Sequence, residues 1–244
     1  MDKLTSWEMG LTPNQMREVD RLAEAEYGIA PVQLMEIAGL QTARVAREIL
    51  GPALAGRAVC ILTGKGNNGG DGMVAARRMA GWGASTTVVT SFPAVEVSGL
   101  AAAQLGAAQA AGVEATEWSG RLPAADLYID ALLGSGVVGA PRARVAGIIQ
   151  ALAPAATPVL ALDIPSGLDA ETGEAPGDCV TAAVTITLGA PKTGLLSPAA
   201  RRWVGRLLVA DIGIPPALLR RVGVEPAGLF ATAERQELAP RGTA

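Results

Sequence analysis

Apolar positions along the chain follow two different patterns, and the change between them lies near residue 57. Over the first fifty residues they recur every three or four positions, which is the spacing of one helical face. A capping residue followed by proline, Thr12-Pro13, opens one predicted helix, and Pro31 opens a second that runs to about Leu50. Gly39 within the second helix predicts close packing against another element, either of this chain or of a second subunit.

Beyond residue 57, short apolar runs alternate with helical stretches. Strands are predicted at Ala58–Thr63, Ser85–Thr90, Leu127–Ala131, Val159–Leu162, Ala183–Leu188 and Leu207–Ala210. Helices are predicted at Asp71–Gly81, Val97–Ala111, Arg142–Ala153 and Pro215–Arg221. Several strands are almost wholly apolar, which is typical of parallel strands covered on both faces. The alternation predicts right-handed βαβ units in a doubly wound, mostly parallel sheet, followed from residue 231 by a polar, loose tail.

Composition narrows the class of protein. Half of the 244 residues are apolar, so a large core can be buried, and the net charge of −3 gives no reason to expect nucleic acid or an anionic membrane as partner. No apolar run reaches the length of a membrane span, and the first residues lack the pattern of a signal peptide. The two cysteines do not form a disulfide framework. A cytoplasmic enzyme or binding protein is therefore expected.

The absence of histidine restricts the chemistry further. Catalytic triads, metal sites and general bases that depend on histidine are excluded. Any proton transfer must use Asp, Glu, Lys, Tyr, Cys or bound water.

The most specific motif is the glycine-rich segment Gly64–Gly72, which follows an apolar strand and precedes a helix. Its five glycines are expected to allow positive φ angles and close approach of a ligand to the backbone. The free N–H groups at the start of the next helix favour an anion, most often a phosphate. The segment lacks the Lys-Ser/Thr pair of a P-loop, because Asp71-Gly72 stands in that place. The simpler alternative is a tight turn in which Asp71 caps the helix.

Three further loops follow predicted strands, at residues 130–139, 163–169 and 189–194. The carboxyl ends of parallel strands share one edge of a sheet, where ligands bind, although each loop alone could be a simple turn. Asp130 and Asp163 each close an apolar strand, where a carboxylate needs a partner or a cap. Asn68, Asp130 and Ser166 could supply hard oxygen ligands whose low charge suits a monovalent cation or a partly hydrated divalent one.

A dinucleotide-dependent oxidoreductase is an alternative, because Gly134–Gly139 also reads G-x-G-x-x-G and Asp163 follows near the place of a ribose-binding acid. Against it, this fingerprint belongs in the first βα turn, and here it lies in the third. Pro141 follows at once, and the chain has no Tyr-x-x-x-Lys motif and no histidine.

Three motifs occur together, and their order and spacing resemble the NAD(P)H-hydrate epimerase family, also called YjeF N-terminal domains. They read Asn-Asn-Gly-Gly-Asp-Gly, Asp-Ala-Leu-Leu-Gly-x-Gly and Asp-Ile-Pro-Ser-Gly, and the resemblance covers roughly residues 12–222. It implies a Rossmann-like three-layer αβα sandwich over a domain of residues 1–230, with N-terminal helices that form a homodimer. It further implies interconversion of the R and S hydrates of NADH and NADPH (NADHX and NADPHX) and a bound potassium ion.

The resemblance also implies roles for individual residues. The substrate contacts would come from Asn67, Asn68, Gly69, Gly70 and Asp71, from Gly134, Ser135, Gly136, Val137, Val138, Gly139 and Ala140, and from Asp163. Potassium would be held by Asn68, Asp130 and Ser166. Asp163 is the first choice for the general acid or base, because the chain has no histidine. The role of Lys192 is left open.

Two features of the family keep alternatives open. Many relatives carry a second domain that dehydrates the S hydrate, so a separate or fused dehydratase is an expected partner, and this chain ends before such a domain could begin. Other relatives are scaffolds without known epimerase activity, which keeps a non-catalytic binding module as an alternative.

Overall fold

Eight strands and seven α-helices are present among the residues that the computed structural model describes, which are 10–226, 228 and 230–238. The strands are β1 (Ala58–Thr63), β2 (Ser85–Thr90), β3 (Glu114–Glu117), β4 (Leu127–Ala131), β5 (Val159–Leu162), β6 (Val184–Leu188), β7 (Arg206–Ala210) and β8 (Arg235–Leu238). The helices are α1 (Pro13–Tyr27), α2 (Pro31–Leu50), α3 (Asn67–Gly81), α4 (Gly99–Ala110), α5 (Ala143–Leu152), α6 (Arg201–Val204) and α7 (Pro216–Arg221).

The strands form one sheet in the order β3-β2-β1-β4-β5-β6-β7-β8. All neighbouring pairs are parallel except β7 with β8, which is antiparallel at the edge. The order reverses between β1 and β4, and this is the position at which doubly wound sheets open a crevice for a ligand. The predicted α/β fold with a mostly parallel sheet is confirmed.

Both faces of the sheet are covered by helices. Successive side chains of a strand point to opposite faces, and β1 shows the consequence. Val59 and Ile61 join a buried cluster with residues of α2 and α3, whereas Cys60 and Leu62 join another with residues of α5. The unbroken apolar run of β1 therefore serves two cores, which gives the three layers that the resemblance implied.

Two strands were not predicted. The edge strand β3 has the sequence Glu-Ala-Thr-Glu and is mostly exposed, so it lacks the apolar run by which the others were recognised. The second, β8, lies in the segment expected to be a loose tail, and that expectation is wrong for Arg235–Leu238. Its side chains form ion pairs with Glu48 and Arg206 while Leu238 is buried, so polar contacts hold this edge strand. Residues 239–244 of the predicted tail lie outside the described residues.

Gly39 performs its packing role within this chain. A Cβ at this position would lie 2.4 Å from Cβ of Val74, so glycine lets α2 approach α3 closely. The close packing predicted for Gly39 is therefore confirmed, but it does not by itself call for a second subunit. α2 has 20 residues, and no described helix combines the length and apolar character needed to span a membrane.

Candidate active site

A cavity of about 560 Å³ opens at the carboxyl edge of the sheet, beside β1, β4, β5 and β6. Its lining includes residues from all four loops that the sequence analysis placed at this edge. The predicted site residues on its wall are Asn67, Asn68, Asp71, Gly134, Ser135, Gly136, Val137 and Asp163, together with Lys192. Residues far apart in sequence thus meet in one cavity, as expected for strand ends of a parallel sheet.

The other predicted substrate contacts lie away from the cavity wall. Gly69 and Gly70 are buried behind it, and Val138, Gly139 and Ala140 are exposed beyond it. Val138 is 82% exposed, and its neighbour Val137 is 44% exposed. The structure gives these five residues no direct place on the wall, and their contact with a substrate stays a prediction.

The glycine-rich segment is not a loop over most of its length, because α3 begins at Asn67 rather than at Asp71. None of its five glycines has a positive φ, so the expectation of left-handed backbone is wrong. The glycines are needed for space instead. A Cβ on Gly69 would lie 2.0 Å from the Gly64 carbonyl oxygen, and one on Gly64 would lie 1.9 Å from the Leu132 carbonyl oxygen.

This close packing places the first turn of α3 at the cavity. Gly66, Asn67 and Asn68 line the wall next to Lys65, which contacts the ring of Phe92 at 4.7 Å. The N–H groups of a first helical turn have no partner within the helix, and the helix dipole makes this end positive. With a lysine beside it, this end of the cavity suits an anionic group such as a phosphate.

Asp130 and Ser166 form a fully buried hydrogen-bonded cluster behind the cavity. The Ser166 hydroxyl donates to Asp130 Oδ1 at 2.6 Å, and the Ser166 N–H donates to Oδ2 at 2.8 Å. The N–H of Leu132 also donates to Oδ1, at 3.2 Å. Burial is the main influence and raises the pKa of Asp130 to about 6, although these three donors act in the opposite direction.

Asn68 adjoins this cluster and completes a set of oxygen atoms. Its side-chain N–H donates to the Leu133 carbonyl at 2.9 Å, and the Leu133 N–H donates to the Ser166 hydroxyl oxygen at 2.9 Å. Asn68 Oδ1 is buried and has no hydrogen-bond partner among the described residues. A buried amide oxygen without a donor is costly, and Asn68 is linked to Ser166 through Leu133, so this oxygen is a candidate ligand for a cation.

Asp163 and Lys192 form a buried ion pair on the cavity wall, with side chains that are 11% and 1% exposed. The Lys192 ammonium also donates to the Thr187 hydroxyl at 3.2 Å and to the Leu188 carbonyl at 3.0 Å, so it has three acceptors. The second oxygen of Asp163 accepts from the Ser135 N–H at 3.3 Å. Burial alone would raise the pKa of Asp163, but Lys192 and these donors outweigh it and lower the pKa.

The backbone at Asp163 is left-handed, with φ of 68°, which is uncommon for a residue other than glycine. Its N–H remains bonded to the Ile186 carbonyl at 2.8 Å, so the turn begins directly at the end of β5. Such backbone is disfavoured for residues with a Cβ and persists where surrounding contacts hold it. Here it directs the carboxylate toward Lys192 and Ser135.

Two more carboxyl groups line the same cavity, Asp71 of α3 and Asp20 of α1. Burial is the main cause that raises the pKa of Asp71 well above its ordinary value, and the negative charges of Asp163 and Asp20 add to it. Asp20 was not recognised from the sequence, because one acidic residue in an amphipathic helix looks like part of a solvated face. Only the tertiary position of α1 places it at the site.

The remaining wall is apolar and comes largely from the two N-terminal helices. It is formed by Pro13, Met16, Pro31, Leu34, Met35 and Ala38, with Leu132, Leu188 and Ile212 from the sheet side. The cavity therefore combines an apolar wall with an anion-binding end and a cluster of ionisable groups, a combination suited to a molecule with flat rings and phosphates.

Comparison with known proteins shows the family of this chain. The family described as "YjeF-related protein N-terminus" matches residues 31–194. A protein named NAD(P)H-hydrate epimerase from Dehalogenimonas lykanthroporepellens is 39% identical over 217 residues, which are 88% of this chain and 86% of the relative. One of the same name from Rhodopirellula baltica is 38% identical over 220 residues, 88% of each chain.

This chain belongs to the YjeF-related N-terminal family. The chain is also similar to longer proteins. It is 37% identical over 218 residues to a bifunctional NAD(P)H-hydrate repair enzyme of Moorella thermoacetica, and it covers 41% of that protein. The crystal structure of a yeast protein (ynu0, YNL200c) superimposes with a TM-score of 0.82 over 95% of this chain and 100% of the yeast chain. At 23% identity that likeness supports the fold alone. Within the residues that match the YjeF-related family, the motif Asn-Asn-Gly-Gly-Asp-Gly forms the first turns of α3.

Proposed function

We propose that this chain is an NAD(P)H-hydrate epimerase, which interconverts the R and S forms of NADHX and NADPHX. The observation that carries the proposal is the Asp163–Lys192 ion pair, which lies on the wall of the same cavity as the first turn of α3. The relatives with this name support it, because they match nearly the whole chain.

The polar and the apolar parts of the cavity wall each have a use in binding a nicotinamide dinucleotide hydrate. Lys65 and the free N–H groups at Gly66 and Asn67 suit the phosphates. The apolar side chains of α1 and α2 suit a ring face. Asp71, whose raised pKa favours the protonated form, can donate a hydrogen bond to an oxygen of the substrate.

Inversion at C6 of the hydrated ring requires proton transfer to and from the carbinolamine. Lys192 lowers the pKa of Asp163 and so keeps this carboxyl group in its ionised form, which is the form that can accept a proton. Lys192 itself is held by three acceptors, which fixes the pair in one geometry. We assign Asp163 as the proton acceptor and Lys192 as the residue that positions it. Ring opening and loss of water both remain compatible with this assignment.

We also propose that Asn68, Asp130 and Ser166 hold a potassium ion. The unpartnered Oδ1 of Asn68 supports this, as do one carboxylate and one hydroxyl within the same hydrogen-bonded cluster. One negative charge among neutral oxygens matches a monovalent cation, whereas a divalent ion normally draws more carboxylates. When bound, the ion would supply positive charge beside Asp130 and brace the loops that follow β4 and β5.

The remaining proposals concern assembly, location and partners. Tyr27, Val32 and Ile37 of α1 and α2 are apolar and 41%, 37% and 37% exposed, so we propose a homodimer through these helices. A monomer at micromolar concentration in sedimentation would contradict it. We further propose a cytoplasmic location and cooperation with a separate or fused dehydratase.

Two alternative functions are separated from the epimerase by experiment. A binding module without catalysis would bind the dinucleotide and leave its hydrate unchanged. The oxidoreductase alternative is disfavoured because Gly134–Gly139 does not lead directly into a helix, as α5 begins at Ala143. The test of the proposal is the decay of enantiopure R hydrate, followed by chromatography with potassium present. Faster formation of the S hydrate than without protein supports it, and an unchanged rate with folded protein rejects it.

A further inference from the structure

We infer that Asp20 of α1 is a second proton-transfer group of the cavity and works with Asp163 on the carbinolamine at C6 of the hydrate. The inference rests on the proposed epimerase function and extends it, because epimerisation needs one group that gives a proton and one that takes it. No sequence motif pointed to Asp20, and its role follows from where α1 lies.

The position of Asp20 follows from helix geometry and from one backbone pairing. Residues 13, 16, 17 and 20 share one face of α1, and all four line the cavity. The segment before α1 is fixed to the turn that carries Lys192. The Leu11 N–H donates to the Pro191 carbonyl at 2.8 Å, and the Thr193 N–H donates to the Leu11 carbonyl at 3.0 Å. These two hydrogen bonds therefore fix the start of α1 next to the turn that carries Lys192.

Asp20 differs from Asp163 in the contacts of its carboxylate. The described residues give its carboxylate no hydrogen bond and no ion pair, and its side chain is exposed to the cavity. The two arginines nearest to it in sequence are directed elsewhere, Arg17 to Asn14 and Arg21 to Glu18. By contrast, Asp163 is held by Lys192 and by the backbone. A free carboxylate on a cavity wall can reorient toward a substrate.

The charges around Asp20 suit a group that gives and takes protons near neutral pH. The charged side chains that line the same cavity are Arg17 of α1, Lys65 after β1, Asp71 of α3, Asp163 after β5 and Lys192 after β6. Desolvation is the largest influence and raises the pKa of Asp20 to about 6, with Lys192 opposing the rise and Asp163 adding to it. Exposure to the cavity lets water moderate this shift. A carboxyl with a pKa near the working pH transfers protons in either direction most effectively.

The proton balance closes for both routes to inversion. If water is lost, protonated Asp20 gives its proton to the C6 hydroxyl as the C–O bond breaks, and the lone pair on N1 forms the C6=N1 bond. Water then adds to the other face of C6 and gives a proton to Asp163. If the ring opens, Asp163 takes the hydroxyl proton as C6–N1 breaks, and Asp20 protonates N1; reclosure after rotation reverses both transfers. Because the reaction is an isomerisation, the two groups exchange roles in the reverse direction.

The test compares Asp20→Asn with Glu24→Gln in the chain of 244 residues, assayed on enantiopure R hydrate from pH 5 to 9. Glu24 lies one turn further along α1 and is exposed, so Glu24→Gln removes the same charge outside the cavity. We expect Asp20→Asn to lower kcat by roughly 100-fold or more, the usual contribution of general acid–base catalysis, with KM within about threefold of the unaltered protein. The limb of the pH profile near 6 should disappear, and Asp20→Glu should restore it in part.

Each other result decides against the inference. If Asp20→Asn keeps its kcat and pH profile while the unaltered protein and Glu24→Gln are active, Asp20 is not involved and the epimerase function stands. If only KM rises, Asp20 binds the substrate and transfers no proton. If the unaltered protein fails to speed the conversion, the proposed function and the role of Asp20 both fall. Equal melting temperatures of the variants separate these results from unfolding.

Discussion

The Lys192 ammonium donates a hydrogen bond to the Asp163 carboxylate and thereby joins the turn after β6 to the end of β5. Lys192 is 1% exposed, so its charge depends on the three acceptors that surround it. Asp163 in turn accepts from the Ser135 N–H of the loop after β4. Three strand ends are therefore coupled through one carboxylate, and that carboxylate lines the cavity.

Replacing Lys192 by methionine should destabilise the protein by about 3–5 kcal/mol, because a buried carboxylate loses its counter-charge. The pKa of Asp163 should rise, since burial then acts without Lys192. Chemical unfolding in urea measures the stability, and the pH dependence of kcat should shift toward higher pH.

The matched control is Lys65→Met, since Lys65 is half-exposed and lies 3.8 Å from Glu96. An exposed pair of this kind contributes about 0–1 kcal/mol. The double variant Asp163→Asn/Lys192→Met should recover part of the lost stability, because neither charge is then left unpaired. Equal losses for Lys192→Met and Lys65→Met would contradict the assigned role of the ion pair.

Asp71→Asn should make the protein more stable at pH 8 while weakening function. The folded-state pKa of Asp71 is raised above 3.8, so its contribution to stability is complete below that pH and is lost as the pH rises through the folded value. Because an amide cannot ionise, the free energy of unfolding of Asp71→Asn at pH 8 should be higher by roughly 0.5–2 kcal/mol, the range of single stabilising substitutions. The gain should shrink as the pH falls toward 4.

Asp169→Asn is the comparison variant, because its expected change in stability at pH 8 is opposite to that of Asp71→Asn. Hydrogen bonds from the Thr172 and Glu171 N–H groups lower the pKa of Asp169, so the carboxylate stabilises the protein above about pH 4. Its amide variant should be less stable at pH 8. Thermal unfolding at both pH values measures the two variants together, and a loss of stability for Asp71→Asn at pH 8 would refute the account of that site.

Gly69→Ala should destabilise the start of α3, whereas Gly66→Ala should be tolerated. A Cβ on Gly69 would lie 2.0 Å from the Gly64 carbonyl oxygen, while one on Gly66 meets nothing within 4 Å. Overpacking of this kind costs about 1–3 kcal/mol, and surface changes stay within about 0.5 kcal/mol. Similar melting temperatures for the two variants would show that the glycines are not required for packing.

Potassium should raise the melting temperature more than sodium, and Asp130→Asn should abolish the difference. Loss of a charge-assisted contact to the ion should weaken its binding by roughly 1–3 kcal/mol. Asp126→Asn is the control, because Asp126 precedes β4 at the end opposite to Asp130. This variant should still melt at a higher temperature in potassium than in sodium. Identical melting curves in potassium and sodium for the unaltered protein would mean that the cluster is only a hydrogen-bonded loop junction.

The sequence was most informative where burial alone determines structure. The apolar runs of β1 and β5 predicted these strands at their observed bounds, because parallel strands covered on both faces bury nearly all of their side chains. It failed at β8, which polar ion pairs hold at the edge of the sheet. The motifs predicted which loops meet at the cavity, because strand ends of a parallel sheet share an edge.

The sequence could not predict which groups come close together in the folded chain. Gly69 was expected to take a positive φ, but space for the Gly64 carbonyl is the reason for glycine there. Asp20 was missed because its exposure to a cavity looks, in sequence, like exposure to solvent. Whether Asp163 is paired with Lys192 depends on the turn after β6, whose path only the tertiary structure gives.

The central claim, that this chain catalyses epimerisation, is tested most directly by starting from each pure hydrate separately. Chiral chromatography follows pure R and pure S NADHX with the unaltered protein and with Asp163→Asn, in potassium buffer. The account predicts that both starting forms reach the same R-to-S ratio, faster than without protein, and that Asp163→Asn slows both directions by about 100-fold or more. Unchanged rates from both starting forms, with folded protein that binds the hydrate, would contradict it.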